Sequence, residues 1–519
     1  MTSRLSRPFA ILAVFILLLA DSSAYAQQKK KTTTRRKAAP ARKAPAKKPA
    51  VKPAAAPALA TAVGVSLEER LASLVNSAVA RGSDSSIQIA EVESGRVVGQ
   101  RNPNLALSPA SNMKLFTTAA AIDILKPTFE VTTAVYVRGA VDPTGTLDGD
   151  VKVVGRGDPT IGGRFHDGNA TAVINEWAAD LKRSGIKTVR GNLIFEYGYF
   201  DTDYIHPTWP RDQLVNWYEA PVSAFSMQEG CVEVRVLPSQ PGQPCVVQFE
   251  PPTSYLQVEN NCRTGRGLPF ITRHLNSNKI IVRGGVPARS GATEVFVTVE
   301  NPVHYFASVT NEAFARNGLT VQGQVVLASS DPRTDWRQVS AHTTPLSVII
   351  FVVNKKSQNH YAEQVLKMLG AEKNKQGSWA SGNRVVTDWL TTKVGVPASE
   401  FRAVDGSGMS RDNRASANAF VHLLRYMWKS PWRQDFVSSM PYTGDPDSKF
   451  GNRLKQEPYK RQIYAKTGYI GGVVGLSGYV HAQSGKVYAF SFLFNRYRVG
   501  VYAVYRLQDE MLKEIVRNG

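Results

Sequence analysis

The stretch Ser108 to Ile122, SPASNMKLFTTAAAI, constrains the fold more than any other part of the chain. Serine followed by proline signals a helix start, since the hydroxyl can cap and proline's missing N–H is wasted nowhere else in a helix. After Lys114 the residues are apolar or small almost without a break, which predicts a helix buried on nearly every face. The rest of the domain has to be built around it. Ser111 and Lys114 stand at i and i+3 in its first turns and so share a face. A lysine leading into a buried helix is costly unless it is partnered or deprotonated, and burial lowers its pKa from the ~10.4 of the free side chain. Such an amine beside a hydroxyl is what an activated serine nucleophile needs. A capped core helix with a snorkelling lysine explains the same letters, and SxxK alone recurs by chance. The decision rests on what lies downstream.

At 519 residues the chain has room for two to four domains with real cores. Residues 1–26 read as an export leader: Arg4 and Arg7, an apolar run from Phe9 to Ala20 too short to span a bilayer, then Ala24-Tyr25-Ala26 before Gln27. No cysteine near the cut invites a lipid, and the mature protein is expected in the periplasm or otherwise outside the cytoplasm. Residues 27–63 are Lys, Arg, Ala, Pro and Thr with no aromatic or acidic residue, a composition that cannot repay its ordering entropy. Eleven of them are basic, and with the leader set aside the formal +21 falls to +9 for the folded part. The tail suits an anionic envelope surface, while a merely extended tether reads equally well. Nucleic acid would have to be met outside the cytoplasm and is not an expected partner. Cys231, Cys245 and Cys262 predict one disulfide and one leftover thiol; because Cys231 and Cys245 flank two strand-like runs, that pair is preferred.

Folded structure is expected from Ser66, where Ser66-Leu67-Glu68-Glu69 forms a capping box and helical spacing continues to Gly82. A hairpin over 86–100 turns at Glu93-Ser94-Gly95. From about Pro127 to Ala341 the text changes to short strands with two helices, at 172–184 and from Asn301-Pro302 to Gly318. Each helix is followed by a similar strand entry, Gly185-Ile186-Lys187-Thr188-Val189 and Gly318-Leu319-Thr320-Val321, a faint internal echo. From Thr344 the chain is helical again. It closes with strands at 475–481 and 486–494 and a helix over 501–516. The two ends, 64–126 and 341–519, therefore read as one α/β unit interrupted by a β-rich insertion at 127–340, expected to form two small domains.

Two further motifs share the outer unit with Ser111. Ser357-Gln358-Asn359 lies between predicted helices, and Lys466-Thr467-Gly468 lies in a strand with a glycine-rich exit, Tyr469 following directly. S-x-x-K, S-x-N and K-T-G in this order are the established signature of penicillin-binding proteins and class A β-lactamases. With Ser357 standing 243 positions after Lys114, the chain resembles the penicillin-binding D-alanyl-D-alanine carboxypeptidases/endopeptidases that carry domains between the first two motifs, the class C low-molecular-mass group. Gly157-Asp158-Pro159-Thr160, Tyr218-Glu219-Ala220-Pro221-Val222-Ser223-Ala224 and Asp405-Gly406-Ser407-Gly408-Met409-Ser410 add to the likeness.

The resemblance implies a transpeptidase-like α/β fold, an antiparallel sheet flanked by helices with inserted mostly-β domains. It also implies an exported serine peptidase of peptidoglycan stem peptides, inhibited by β-lactams, with no metal or cofactor. Catalytic roles fall to Ser111 as nucleophile, Lys114 as base and Ser357 as proton relay. Asn359, Lys466, Thr467, Gly468 and Tyr469 fall to the substrate, whose carboxylate suits an ammonium and a hydroxyl. Gln358 replaces the usual Asp of the second motif, and Tyr469 stands where Thr or Ser is common, which opens the question of substrate preference. Asp405-Gly406-Ser407-Gly408 reads as a turn first, with a cleft lining as the alternative. The eight histidines show no zinc spacing. A β-lactamase or esterase of the same acyl-serine kind, and a catalytically idle wall-binding protein, are the alternatives.

Overall fold

The two ends of the chain meet in one sheet. A computed structural model describes residues 65–519, so the leader and the basic segment anticipated at 1–26 and 27–63 lie outside the described residues. Strands β1 (Asp84–Glu91) and β2 (Val97–Arg101) form the anticipated hairpin. Strands β3 (Ile463–Ile470), β4 (Val473–His481) and β5 (Val487–Asn495) complete an antiparallel sheet in the order β3–β4–β5–β1–β2. Helices α1 (Leu67–Val75), α2 (Met113–Leu125), α3 (Leu346–Lys355), α4 (Asn359–Asn374), α5 (Ala417–Lys429) and α6 (Val501–Asn518) frame it. The two-residue period of a strand divides its side chains between two cores. Phe490, Phe492 and Phe494 of β5 join Leu71 of α1 and Met511 of α6, while Ala489 and Leu493 join Phe116, Leu366 and Phe420 from α2, α4 and α5.

Helix α2 is the expected buried helix: all ten residues from Met113 to Ile122 are shut away from solvent. Its start differs from expectation. Ser108 does not cap it; the hydroxyl is buried without a hydrogen bond, and the chain enters α2 through a 3-10 turn at Ala110–Asn112. The periodicity over 67–82 also breaks. α1 stops at Val75, and a new turn, Ala78–Arg81, is capped by Ser77, whose hydroxyl accepts from the Ala80 N–H. A serine that can satisfy a free N–H outcompetes helix continuation there.

Residues 130–345 build three further sheets. The largest has seven strands, and in it the sequence echo becomes a spatial one. Helix Ala172–Arg183 leads to strands Thr188–Val189 and Leu193–Glu196, and helix Pro302–Arg316 leads to Thr320–Val321 and Val325–Ala328. The equivalent strands lie side by side in parallel, Thr320 against Thr188 and Val325 against Leu193. Between these units the chain forms two three-stranded sheets, Cys231–Leu237 with Val246–Glu250 and Thr293–Thr298, and Gln257–Thr264 with Pro269–Arg273 and Lys279–Val286. One continuous apolar cluster joins all three sheets of this region, and residues 67–519 form one compact unit.

The preferred cysteine pair is corrected by this topology. Cys231–Leu237 and Val246–Glu250 are antiparallel with Leu237 opposite Val246, so Cys231 and Cys245 stand at opposite ends of the hairpin, roughly 20 Å apart at ~3.3 Å per residue. Cys245 lies instead beside Cys262, with their sulphurs 3.1 Å apart. Strands Gln257–Thr264 and Arg337–Pro345 carry polar residues on both faces, so no alternation of apolar and polar residues marks them in the sequence.

Candidate active site

Three segments far apart in sequence converge on α2. At its head, Ala110 adopts φ = +48°, a left-handed conformation rare for a residue with a side chain, so the backbone turns sharply just before Ser111. This strain is held by close packing at two glycines. A Cβ at Gly468 of β3 would lie 2.5 Å from the Asn112 amide nitrogen and 2.7 Å from the Pro109 carbonyl oxygen, and one at Gly408 would collide with the Ala110 carbonyl. Glycine at these two places lets β3 and the 405–410 loop clamp the turn that carries Ser111.

Lys114 is 0% exposed. Its Nζ lies 3.0 Å from Ser111 Oγ and donates to Asn359 Oδ1 at 2.6 Å and to the Ser407 carbonyl at 2.7 Å. Burial pushes its pKa down from 10.5 to about 7, against the pull of the Glu363 and Asp405 carboxylates. A neutral amine has two N–H groups and one lone pair. With both N–H groups taken by fixed carbonyl-type oxygens, the lone pair faces the Ser111 hydroxyl. Asn359 is held in turn by donating Nδ2 to the Tyr218 carbonyl at 2.8 Å.

Ser357 sits between α3 and α4, also with a left-handed backbone (φ = +57°). Lys466 of β3 donates to Ser357 Oγ at 2.7 Å and to the Thr467 carbonyl at 2.8 Å. It too is 0% exposed, and its pKa is driven well below the ordinary lysine value by burial and then by the charge of Lys114. Unlike Lys114, Lys466 has no carboxylate among the causes acting on it to offset its burial. Thr467 is half-buried, Gly468 packs against the turn, and the Tyr469 ring is 49% exposed at the end of β3. The structure thus forms two hydrogen-bonded groups, Ser111 with Lys114 and Asn359, and Ser357 with Lys466, near enough that the Lys114 charge acts on Lys466, with Thr467, Gly468 and Tyr469 on the strand of Lys466.

Behind this set lies a layer the motifs do not mention. Glu363, one turn beyond Asn359 on α4, is fully buried and accepts from the Gly406 and Ser407 N–H groups at 2.9 and 2.7 Å and from Trp379 Nε1 at 2.9 Å. Asp405 accepts from Gly408, Ser410, Asn413 and Trp209 Nε1. These two carboxylates shape the loop whose Ser407 carbonyl meets Lys114, so the segment that read first as a turn also lines the cleft. Burial and Asp405 push the Glu363 carboxyl up to about 7. Trp209 and Tyr218 come from the 127–340 region, which therefore contributes to the wall of the cleft. Gln358 turns away from it and donates to Glu229 of the same region, which also takes Arg164. An Asp in place of Gln358 would set two carboxylates against each other, which gives this departure from the usual motif a physical reason. Among the described residues no group of three or more His, Cys, Asp or Glu side chains is placed to hold a metal ion.

The model of the D-Ala-D-Ala carboxypeptidase 3 (S13) family matches residues 67–512. The chain is 32% identical over 448 residues to the D-alanyl-D-alanine carboxypeptidase of Actinomadura sp. strain R39, covering 83% of this chain and 81% of the relative. It is 22% identical over 427 residues to the D-alanyl-D-alanine carboxypeptidase DacB of Haemophilus influenzae, covering 81% of this chain and 87% of the relative. The crystal structure of penicillin binding protein 4 from Haemophilus influenzae superposes with a TM-score of 0.71, covering 86% of this chain and 97% of that one at 22% identity. That likeness gives the fold: a sheet flanked by helices, with additional β sheets inserted. With the family model spanning nearly all of the described chain, the protein belongs to the S13 family of serine-type D-Ala-D-Ala carboxypeptidases.

Proposed function

We propose that Ser111 is the nucleophile of this carboxypeptidase and that Lys114 is its base. The observation that carries the reading is the lysine's surroundings: two fixed acceptors on Lys114 Nζ, with Ser111 Oγ as its third neighbour at 3.0 Å. Ser111 Oγ attacks the carbonyl carbon of the penultimate D-alanine while its proton passes to Lys114 Nζ. The oxyanion is met by the backbone N–H groups of Ser111 and Tyr469, a kind of contact typically worth ~3 kcal/mol in the transition state. Collapse breaks the peptide C–N bond. Ser357 hands its proton to the departing amine and is resupplied from the adjoining lysines, leaving an ester on Ser111 that water hydrolyses. Lys466 and Thr467 answer the terminal carboxylate of the substrate, and Asn359 holds both Lys114 and a substrate amide.

A β-lactam enters the same path. Its ring amide acylates Ser111, but the released amine stays tethered, so the ester persists. The Haemophilus influenzae protein has been crystallised in complex with a β-lactam, and the same chemistry here predicts covalent inhibition. The substrates are peptidoglycan stem peptides, met outside the cytoplasm as for other cell-wall peptidases of the family. The reading includes cleavage of cross-linked peptides as well as trimming of free ends, since both present a D-alanyl carbonyl to Ser111. Release of D-alanine from a D-Ala-D-Ala peptide, measured beside turnover of penicillin, tests the reading. Fast peptide hydrolysis with slow penicillin release supports it, and the reverse ratio supports a β-lactamase instead.

A further inference from the structure

The three cysteines take no part in the chemistry above, yet the fold sorts them sharply. Cys245, just before strand Val246–Glu250, and Cys262, in strand Gln257–Thr264, belong to the regions of two different sheets. Their backbones are held face to face by three contacts. Pro244 and Arg263 form an antiparallel bridge, the Cys245 N–H donates to the Cys262 carbonyl at 2.9 Å, and Asn260 Nδ2 donates to the Cys245 carbonyl at 2.7 Å. The two thiols are thereby brought to 3.1 Å, both buried in the apolar cluster that also holds Leu256, Ile280 and Val286. Cys231 is at the far end of its strand, fully enclosed, and burial pushes its thiol pKa well above the ordinary value, which leaves it a poor nucleophile.

We propose that Cys245 and Cys262 form a disulfide in the mature protein and that Cys231 remains a thiol. The proposal rests on the location outside the cytoplasm that the family implies, where disulfides persist, and not on the role of Ser111. Both S–H bonds are lost and one S–S bond forms. Two protons go to solvent and two electrons pass to a disulfide-class oxidant, a thiol oxidase or an oxidised low-molecular-mass thiol, which is released as two thiols. Burial and the neighbouring sulphur push the Cys262 thiol up to about 12, so exchange takes place before the pair is enclosed. The bond ties the sheet containing Cys231–Leu237 to the sheet containing Gln257–Thr264 and closes the intervening loop, restricting the unfolded chain.

The test uses the full chain produced with its own leader and recovered from the envelope. Denatured without reductant and treated with iodoacetamide, it is expected to take up one adduct, against three after reduction. Trypsin cannot separate the pair, since no Lys or Arg lies between Cys245 and Cys262, but cleavage after Glu259 puts them on different peptides. Those peptides are expected to be found linked until reduced. Cys231→Ser should abolish the adduct of the unreduced protein, and Cys245→Ser should give two. Should the latter fail to fold, the wild-type peptide map decides alone. Three adducts without reductant, or a linked peptide containing Cys231, overturns the assignment. Active-site labelling is read separately and is unaffected by either result.

Discussion

Lys114 offers the sharpest quantitative prediction, because its pKa decides how much base the enzyme has at working pH. An ordinary lysine at 10.5 would be neutral in roughly one molecule in 3,000 at pH 7, whereas a value of about 7 makes half of the molecules competent. The 3.5-unit displacement is worth about 5 kcal/mol at ~1.36 kcal/mol per unit, and it supplies a roughly thousandfold gain in active base. The perturbation is pH itself, read as the second-order rate of acylation by a chromogenic β-lactam in stopped flow. The rate should rise tenfold per pH unit below about 7 and level off above it. Glu363 titrates in the same range, so the variant Glu363→Gln separates the two. Glu363 is one of two carboxylates that hold the proton on Lys114, so without its charge the limb should move to lower pH. A rate still climbing through pH 9, or a limb that vanishes in Glu363→Gln, would refute the assignment of the base.

Gln358→Asp should place a carboxylate against Glu229, a repulsion of up to ~4 kcal/mol at 4 Å and an effective dielectric of ~20, partly relieved by Arg164. Acylation should slow by about tenfold or more, with recovery in the double variant Gln358→Asp, Glu229→Gln; no recovery counts against the contact. Gly408→Ala, at φ = +84° with its new Cβ on the Ala110 carbonyl, should cost at least ~1 kcal/mol in thermal denaturation and slow acylation by displacing the turn before Ser111. An unchanged melting temperature would mean that the clamp is looser than the packing implies. Deleting residues 27–63 should leave hydrolysis of a soluble peptide unchanged but weaken sedimentation with isolated cell walls at low salt, since exposed charges act over ~10 Å at 0.1 M. Equal sedimentation dismisses a docking role for the tail.

Much of the fold was legible where one physical rule dominates a segment. The unbroken apolar run after Lys114 could only be a buried helix, Asn301-Pro302 is a cap followed by a residue suited to the first helical position, and Glu93-Ser94-Gly95 is a turn. The motif residues were legible because acyl transfer demands specific side chains. What escaped depends on tertiary context. The strained turn at Ala110 is invisible in its letter, since alanine has no preference for φ = +48°. The Ser407 and Tyr218 contributions are backbone carbonyls, which any side chain could carry. Nothing in the sequence sets Glu363 apart from any other polar residue of a helix, and only the packing of the 405–410 loop makes it a buried acceptor of three hydrogen bonds. The cysteine pairing failed because flanking a hairpin does not specify its register, and the register put Cys231 at the wrong end.

The account stands or falls on Ser111 being the atom that becomes acylated. Incubation of the wild-type protein and of Ser111→Ala with a fluorescent penicillin, followed by denaturing gel and peptide mass mapping, addresses this directly. The expected result is one covalent label on the peptide containing Ser111 in the wild type and none in the variant. Equal labelling of both proteins, or a label mapped to another residue, contradicts it.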